Sequence, residues 1–97
     1  RAVPRPSAPS FSLKAGKGQM TVTWKGVSGA SGYRIYRATA EDGKYRLIRD
    51  SRGKARTYTS TKLKRKKTYY YKLRAYRIVN GKRVYGTLSQ CKAAKTK

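Results

Sequence analysis

Lys62, Lys64, Arg65, Lys66 and Lys67 place five cations within six residues. Cations held about 6–8 Å apart in water repel one another, and a multivalent anion relieves that repulsion. A second run alternates ring and charge, with Tyr70, Lys72, Arg74 and Tyr76 at every other position. A guanidinium can lie on a tyrosine ring, and a sugar or a base can stack on one. Both patterns point to non-covalent recognition of anions.

Covalent chemistry finds few groups to work with. The 97 residues contain no histidine, one cysteine (Cys91) and three side-chain carboxylates, Glu41, Asp42 and Asp50. Serine and threonine are plentiful, but without a histidine and with few acids nothing activates one as a nucleophile. Glu41 and Asp42 are adjacent in a stretch that reads as a turn, which gives no support to a paired-carboxylate mechanism or an oxygen-ligand metal site. A single cysteine allows no disulfide within the chain and no zinc cluster. Cys91 reads as a small, partly buried packing residue. The expectation is a chain that is not an enzyme, with no cofactor and no metal. No apolar run approaches the roughly 18 residues of a membrane span, so no membrane insertion is expected. The start at Arg1, without a signal-peptide pattern, reads as a piece of a longer protein or a mature form.

Twenty-six Lys and Arg against three acids give a formal charge of +23. Such a surface draws polyanions and repels its own copies. Hydrophobic residues make up 37% of the chain, with nine tyrosines among them. That suffices for the one thin core a domain of this size can bury.

The elements that must position these groups are strands. Residues 1–9 carry all three prolines and read as an extended linker, leaving a domain over 10–97. From Phe11 onward the apolar period is two. Met20–Trp24 alternates as a half-buried strand does, after a turn at Ala15–Gly18. A Gly/Ser/Ala loop over 26–32 leads to a strand at Gly32–Arg37. A turn at Glu41–Gly43 precedes a strand at Lys44–Arg49. A further turn at Asp50–Gly53 precedes a short strand at Arg56–Ser60. Thr68–Val79 is the longest strand. Asn80-Gly81 then signals a hairpin, since both central residues need positive φ, and Arg83–Ala93 returns as the last strand. About seven short strands with no helical period predict an antiparallel β-sandwich.

These residues resemble the fibronectin type III domain over nearly everything after Pro9. Trp24 ends the second strand, where that family carries its core tryptophan. Gly32–Arg37 looks like the third strand and Tyr58 like the fifth-strand tyrosine. Leu63 stands six residues before Tyr69, the family's corner spacing before strand F, and Tyr69, Tyr71, Leu73 and Ala75 match that strand's inward positions. Ser31–Ala38, Gly43–Tyr45, Lys67–Tyr76 and Val79–Gly86 are similar to segments of a subset from secreted or wall-attached proteins of Gram-positive bacteria. Two departures stand out. Lys64–Lys67 replaces the usual Pro-Gly or Gly of the corner, and no Arg-Gly-Asp stands in the hairpin. The resemblance implies an all-β, immunoglobulin-like sandwich of seven strands. One sheet would hold strands A, B and E, the other C, C′, F and G. It also implies a secreted or cell-surface location.

Strand parity turns Tyr69, Tyr71, Leu73 and Ala75 inward and Tyr70, Lys72, Arg74 and Tyr76 outward. Tyr33 and Ile35 go in, Arg34 and Tyr36 out. With C beside F, as the family implies, these six outward residues form one exposed face. The plain alternative is a solvated sheet face whose cross-strand pairs contribute roughly 0.2–1 kcal/mol each. The Lys62–Lys67 cluster falls in the E–F loop, which in the family shares a pole with the A–B loop and its Lys14 and Lys17. Glu41 and Asp42 fall near the same pole. Here the plain alternative is a solvated lysine-rich turn.

Three functions fit. The first is a non-catalytic extracellular module, a spacer or adhesion unit that binds anionic polysaccharide or cell-wall polymer. The second is a structural or filament subunit whose basic surface pairs with an acidic protein domain, possible within the same chain. The third is nucleic-acid binding without sequence preference. No recognition helix, zinc finger or RNA-binding-sheet signature supports sequence-specific reading.

Overall fold

Alternation of apolar and polar residues becomes two facing antiparallel sheets. The computed structural model describes residues 8–27, 29–52 and 56–97. Of the linker expected over 1–9, only Ala8 and Pro9 are among them; the rest of that segment and Gly53 lie outside the described residues. The strands are β1 (Phe11–Gly16), β2 (Gln19–Trp24), β3 (Gly32–Ala38), β4 (Arg46–Arg52), β5 (Thr57–Ser60), β6 (Thr68–Val79), β7 (Lys82–Tyr85) and β8 (Lys92–Lys95). The first sheet has the order β1-β2-β5. The second has the order β4-β3-β6-β7, with β8 also paired to β6.

The inner faces supply the core that parity predicts. Met20, Val22 and Trp24 of β2 meet Tyr33 and Ile35 of β3 and Tyr69, Tyr71, Leu73 and Ala75 of β6, all buried. The Trp24 and Tyr33 rings tilt against each other at 5.7 Å. Burying such side chains stabilises a sandwich by about 1.5–3 kcal/mol apiece.

Turn chemistry sets the register. Lys17 and Gly18 form the tight turn between Gly16 and Gln19, which are paired. Asn80 and Gly81 both have positive φ, 51° and 77°, as a two-residue hairpin requires.

Several strand ends shift by one or two residues from the sequence reading, β4 starting at Arg46 rather than Lys44 and β5 at Thr57 rather than Arg56, and two differences are larger. Asp50–Arg52 belongs to β4 rather than to a turn, and Ser51 is buried there. The single return strand expected over Arg83–Ala93 is two strands, so the count is eight rather than seven. Between the pairs Tyr76↔Tyr85 and Tyr71↔Lys92, seven steps of returning chain accompany five of β6. The surplus bulges out over Gly86–Cys91. It stays tied to β6 through Gly86 N–H to Ala75 O (2.9 Å) and Ser89 N–H to Leu73 O (2.7 Å). Ser89 Oγ accepts from Leu73 N–H in return (2.7 Å). Bulges of this kind locally disrupt a ladder without ending it.

Candidate anion-binding site

The β5–β6 loop is built at one end of the sandwich and held from three sides. Leu63 N–H donates to Gly18 O (2.9 Å), joining the loop to the β1–β2 turn. Lys64 N–H donates to the hydroxyl of Tyr69 (3.0 Å), the tyrosine that the six-residue spacing singled out. From below comes Thr96, which is buried. Its N–H donates to Lys67 O (2.9 Å). Its Oγ1 donates to Lys64 O (2.5 Å) and accepts from Lys67 N–H (3.1 Å). Lys97 N–H donates to Gly16 O (3.0 Å) and Arg65 Nε reaches Lys97 O (3.4 Å).

This arrangement brings Lys17, Lys62, Lys64, Arg65, Lys66 and Lys67 to one pole, as expected. It adds Lys95 and Lys97, which sequence reasoning missed. The signal was present: a last strand antiparallel to β6 must finish where β6 begins. Lys14 is placed differently from the expectation. It lies within β1 opposite Thr21 rather than in the turn, and parity sets it on the outer face of the first sheet. Lys62 and Lys66 adopt left-handed backbone, φ 58° and 55°. A lysine there is uncommon, since a Cβ crowds that conformation and glycine does not. Glu41 and Asp42 sit in the β3–β4 connection towards this end. Among the described residues neither forms an ion pair, and no side-chain carboxylate pairs with a pole cation.

The outer face of the second sheet is a different kind of surface. Parity there is as predicted, but four of its six residues are already engaged. Asp50 is the hub. Arg83 Nη1 donates to its Oδ2 (2.7 Å), Tyr76 Oη donates to its Oδ1 (2.9 Å), and Arg34 Nε lies 3.6 Å from Oδ2. Arg34 and Arg74 lie against the Tyr85 ring at 5.0 and 5.6 Å, with the Nε of each buried. Lys72 Nζ is 4.4 Å from the centre of the Tyr45 ring. Tyr76, expected to be exposed, is fully buried. Its ring crosses Gly32, where a Cβ would collide with it, and Arg83 covers it at 4.6 Å. Tyr36 and Tyr70 are half-buried. Burial pushes the Asp50 carboxyl up, but Arg83, Tyr76 and Arg34 together outweigh that and hold it below the usual carboxylate value.

Solved structures share this arrangement of strands. A fibronectin type III domain from the human KIAA0970 protein superposes with a TM-score of 0.70 at 21% identity, covering 95% of this chain and 72% of that one. An Fn3-like protein from Clostridium thermocellum does so at 0.70 and 28% identity, covering 94% and 96%. The fold is that of a fibronectin type III domain. A β-1,2-glucanase from Parabacteroides distasonis superposes with a TM-score of 0.80 at 25% identity over 98% of this chain. This chain spans 13% of the length of the glucanase. No protein-family model and no curated protein matches the chain. In type III terms β7 and β8 are the two halves of strand G, and the Tyr69–Lys64 hydrogen bond is the corner before strand F.

Proposed function

We propose that this type III domain is a non-catalytic, extracellular module of a bacterial secreted or surface protein, and that it holds its parent to an anionic glycan or cell-wall polymer through the β5–β6 pole. One observation carries the reading. The pole gathers Lys62, Lys64, Arg65, Lys66 and Lys67 on a loop fixed by hydrogen bonds to its main chain, beside Lys17 and Lys95, with no side-chain carboxylate paired to them among the described residues. The sheet face, by contrast, spends its cations on Asp50, Tyr45 and Tyr85. A fixed array of cations meets a multivalent anion without first ordering a floppy loop. The bacterial Fn3-like neighbours support an extracellular module. One such domain binds weakly, and repetition along a chain supplies avidity.

The test is retention on heparin and on teichoic acid across a salt gradient, with a neutral glucan and single-stranded DNA as comparators. Replacing Lys64, Arg65, Lys66 and Lys67 by serine is expected to weaken glycan binding roughly tenfold or more at physiological salt. Replacing Lys25, Arg52, Arg77 and Lys82, at the other end, removes equal charge and is expected to cost much less. Equal losses from both sets would refute a polar site. The +23 charge would then act diffusely, as in a structural subunit facing an acidic domain.

A further inference from the structure

The outer face of the second sheet is closed at one end and open at the other. At the closed end Tyr76 lies buried under Arg83 with Asp50 beside it. At the open end, next to the pole, β6 presents Tyr70 between two alanines, since its partners are Ala38 on β3 and Ala93 on β8. Neither alanine is long enough to cover the ring. The next outward row is Lys72, Tyr36 and Leu47, and Leu47 is 45% exposed. The row on the pole side pairs Thr68 with Lys95. Tyr45 enters from the margin. Its hydroxyl donates to Glu41 O (2.9 Å) and lies 3.1 Å from Sγ of Cys91, the residue before β8. Rings and apolar surface thus lie between Lys95 at the pole and Lys72 in the sheet. Successive outward positions on β6 are about 7 Å apart.

We infer that this strip of Tyr70, Tyr36 and Leu47, bordered by Tyr45, continues the cationic pole as a stacking platform, and that the ligand is an acidic polysaccharide rather than a bare polyanion. The inference rests on the anion-binding reading above. A sugar ring offers a C–H face to an aromatic ring, and phenol hydroxyls at the rim exchange hydrogen bonds with sugar hydroxyls. Carboxylates or sulfates on neighbouring sugars pair with Lys95 and Lys67, while Lys72 stays on the Tyr45 ring. An inorganic polyphosphate satisfies the cations equally well and leaves the rings idle.

The test compares polygalacturonate, inorganic polyphosphate and oligothymidylate as probes for the whole chain by calorimetry at physiological salt. Tyr70→Ala is expected to weaken polygalacturonate roughly five- to tenfold, the low end of what removing a ring costs a stacked base, while Tyr70→Phe retains most of the affinity. Polyphosphate binding should be insensitive to Tyr70→Ala. The fourfold serine variant of the pole should weaken both probes. Thermal melts establish that each variant is folded, and Tyr36→Ala gives the same reading from a neighbouring strand should Tyr70→Ala unfold. Equal losses for polygalacturonate and polyphosphate on removing a ring, or no loss at all, would overturn the strip and leave the pole standing. Tighter, more ring-dependent binding of oligothymidylate would overturn the choice of a polysaccharide. An unaffected pole variant would sink the anion-binding reading itself.

Discussion

Among the described residues Asp50 is the one side-chain carboxylate tied into an ion-pair network, and its environment makes a pH prediction. Burial raises its pKa, but hydrogen bonds from Arg83 and Tyr76 and the Arg34 charge bring it below the ordinary value. A carboxylate with a lowered folded-state pKa contributes stability above its unfolded pKa and loses it as pH falls through the folded one. Unfolding in urea between about pH 2 and pH 6 should therefore show the wild type weakening below the usual carboxylate range, near pH 4. Asp50→Asn should be less stable at neutral pH by about 1–2 kcal/mol and should lack that component of the acid loss. A variant whose pH profile parallels the wild type would contradict the network. Tyr76 shows what a sequence can say at this scale. Period two gave the direction of its side chain. Its cover comes from Arg83 on β7 and Asp50 on β4, brought in by pairings that alternation does not encode.

Among elements, the β5–β6 loop depends on a residue far along the chain. Thr96 Oγ1 and N–H together engage Lys64 O, Lys67 O and Lys67 N–H. Thr96→Val keeps the shape and removes the hydroxyl, leaving Lys67 N–H without that acceptor. The expected loss is about 1–3 kcal/mol, with faster amide exchange confined to the loop and β8. Exchange that speeds uniformly across both sheets would contradict a local latch. Most strands were legible because their inward positions are mostly apolar, as at Tyr69, Tyr71, Leu73 and Ala75. Asn80-Gly81 was legible because few pairs accept two positive φ values. The end of β4 was not, because Asp50 and Ser51 carry turn composition. One feeds the outer network and the other is buried in a strand. Gly86 was the available sign of the break in strand G, since a glycine inside a strand pattern often marks a bulge.

At the scale of the molecule the +23 charge acts on the fold as a whole. Cations crowded within a Debye length of about 10 Å at 0.1 M salt repel, and the folded state brings them closest. Added NaCl should raise the melting temperature from low ionic strength, and a falling melting temperature would show that specific ion pairs outweigh repulsion. The basic pole was legible as a run of residues. Its full membership was not, because Lys95 and Lys97 arrive by strand pairing from the far end of the chain. The bulge over Gly86–Cys91 has a consequence of its own. Strand G borders the second sheet, and its unpaired amides and carbonyls form a template for a foreign strand. The bulge cuts that template into two four-residue lengths, β7 and β8. Lys92 also reaches over to Phe11 O (2.5 Å), fastening β8 to β1. A stranger's backbone therefore meets an interrupted border there, which works against copies knitting through strand G into a continuous sheet.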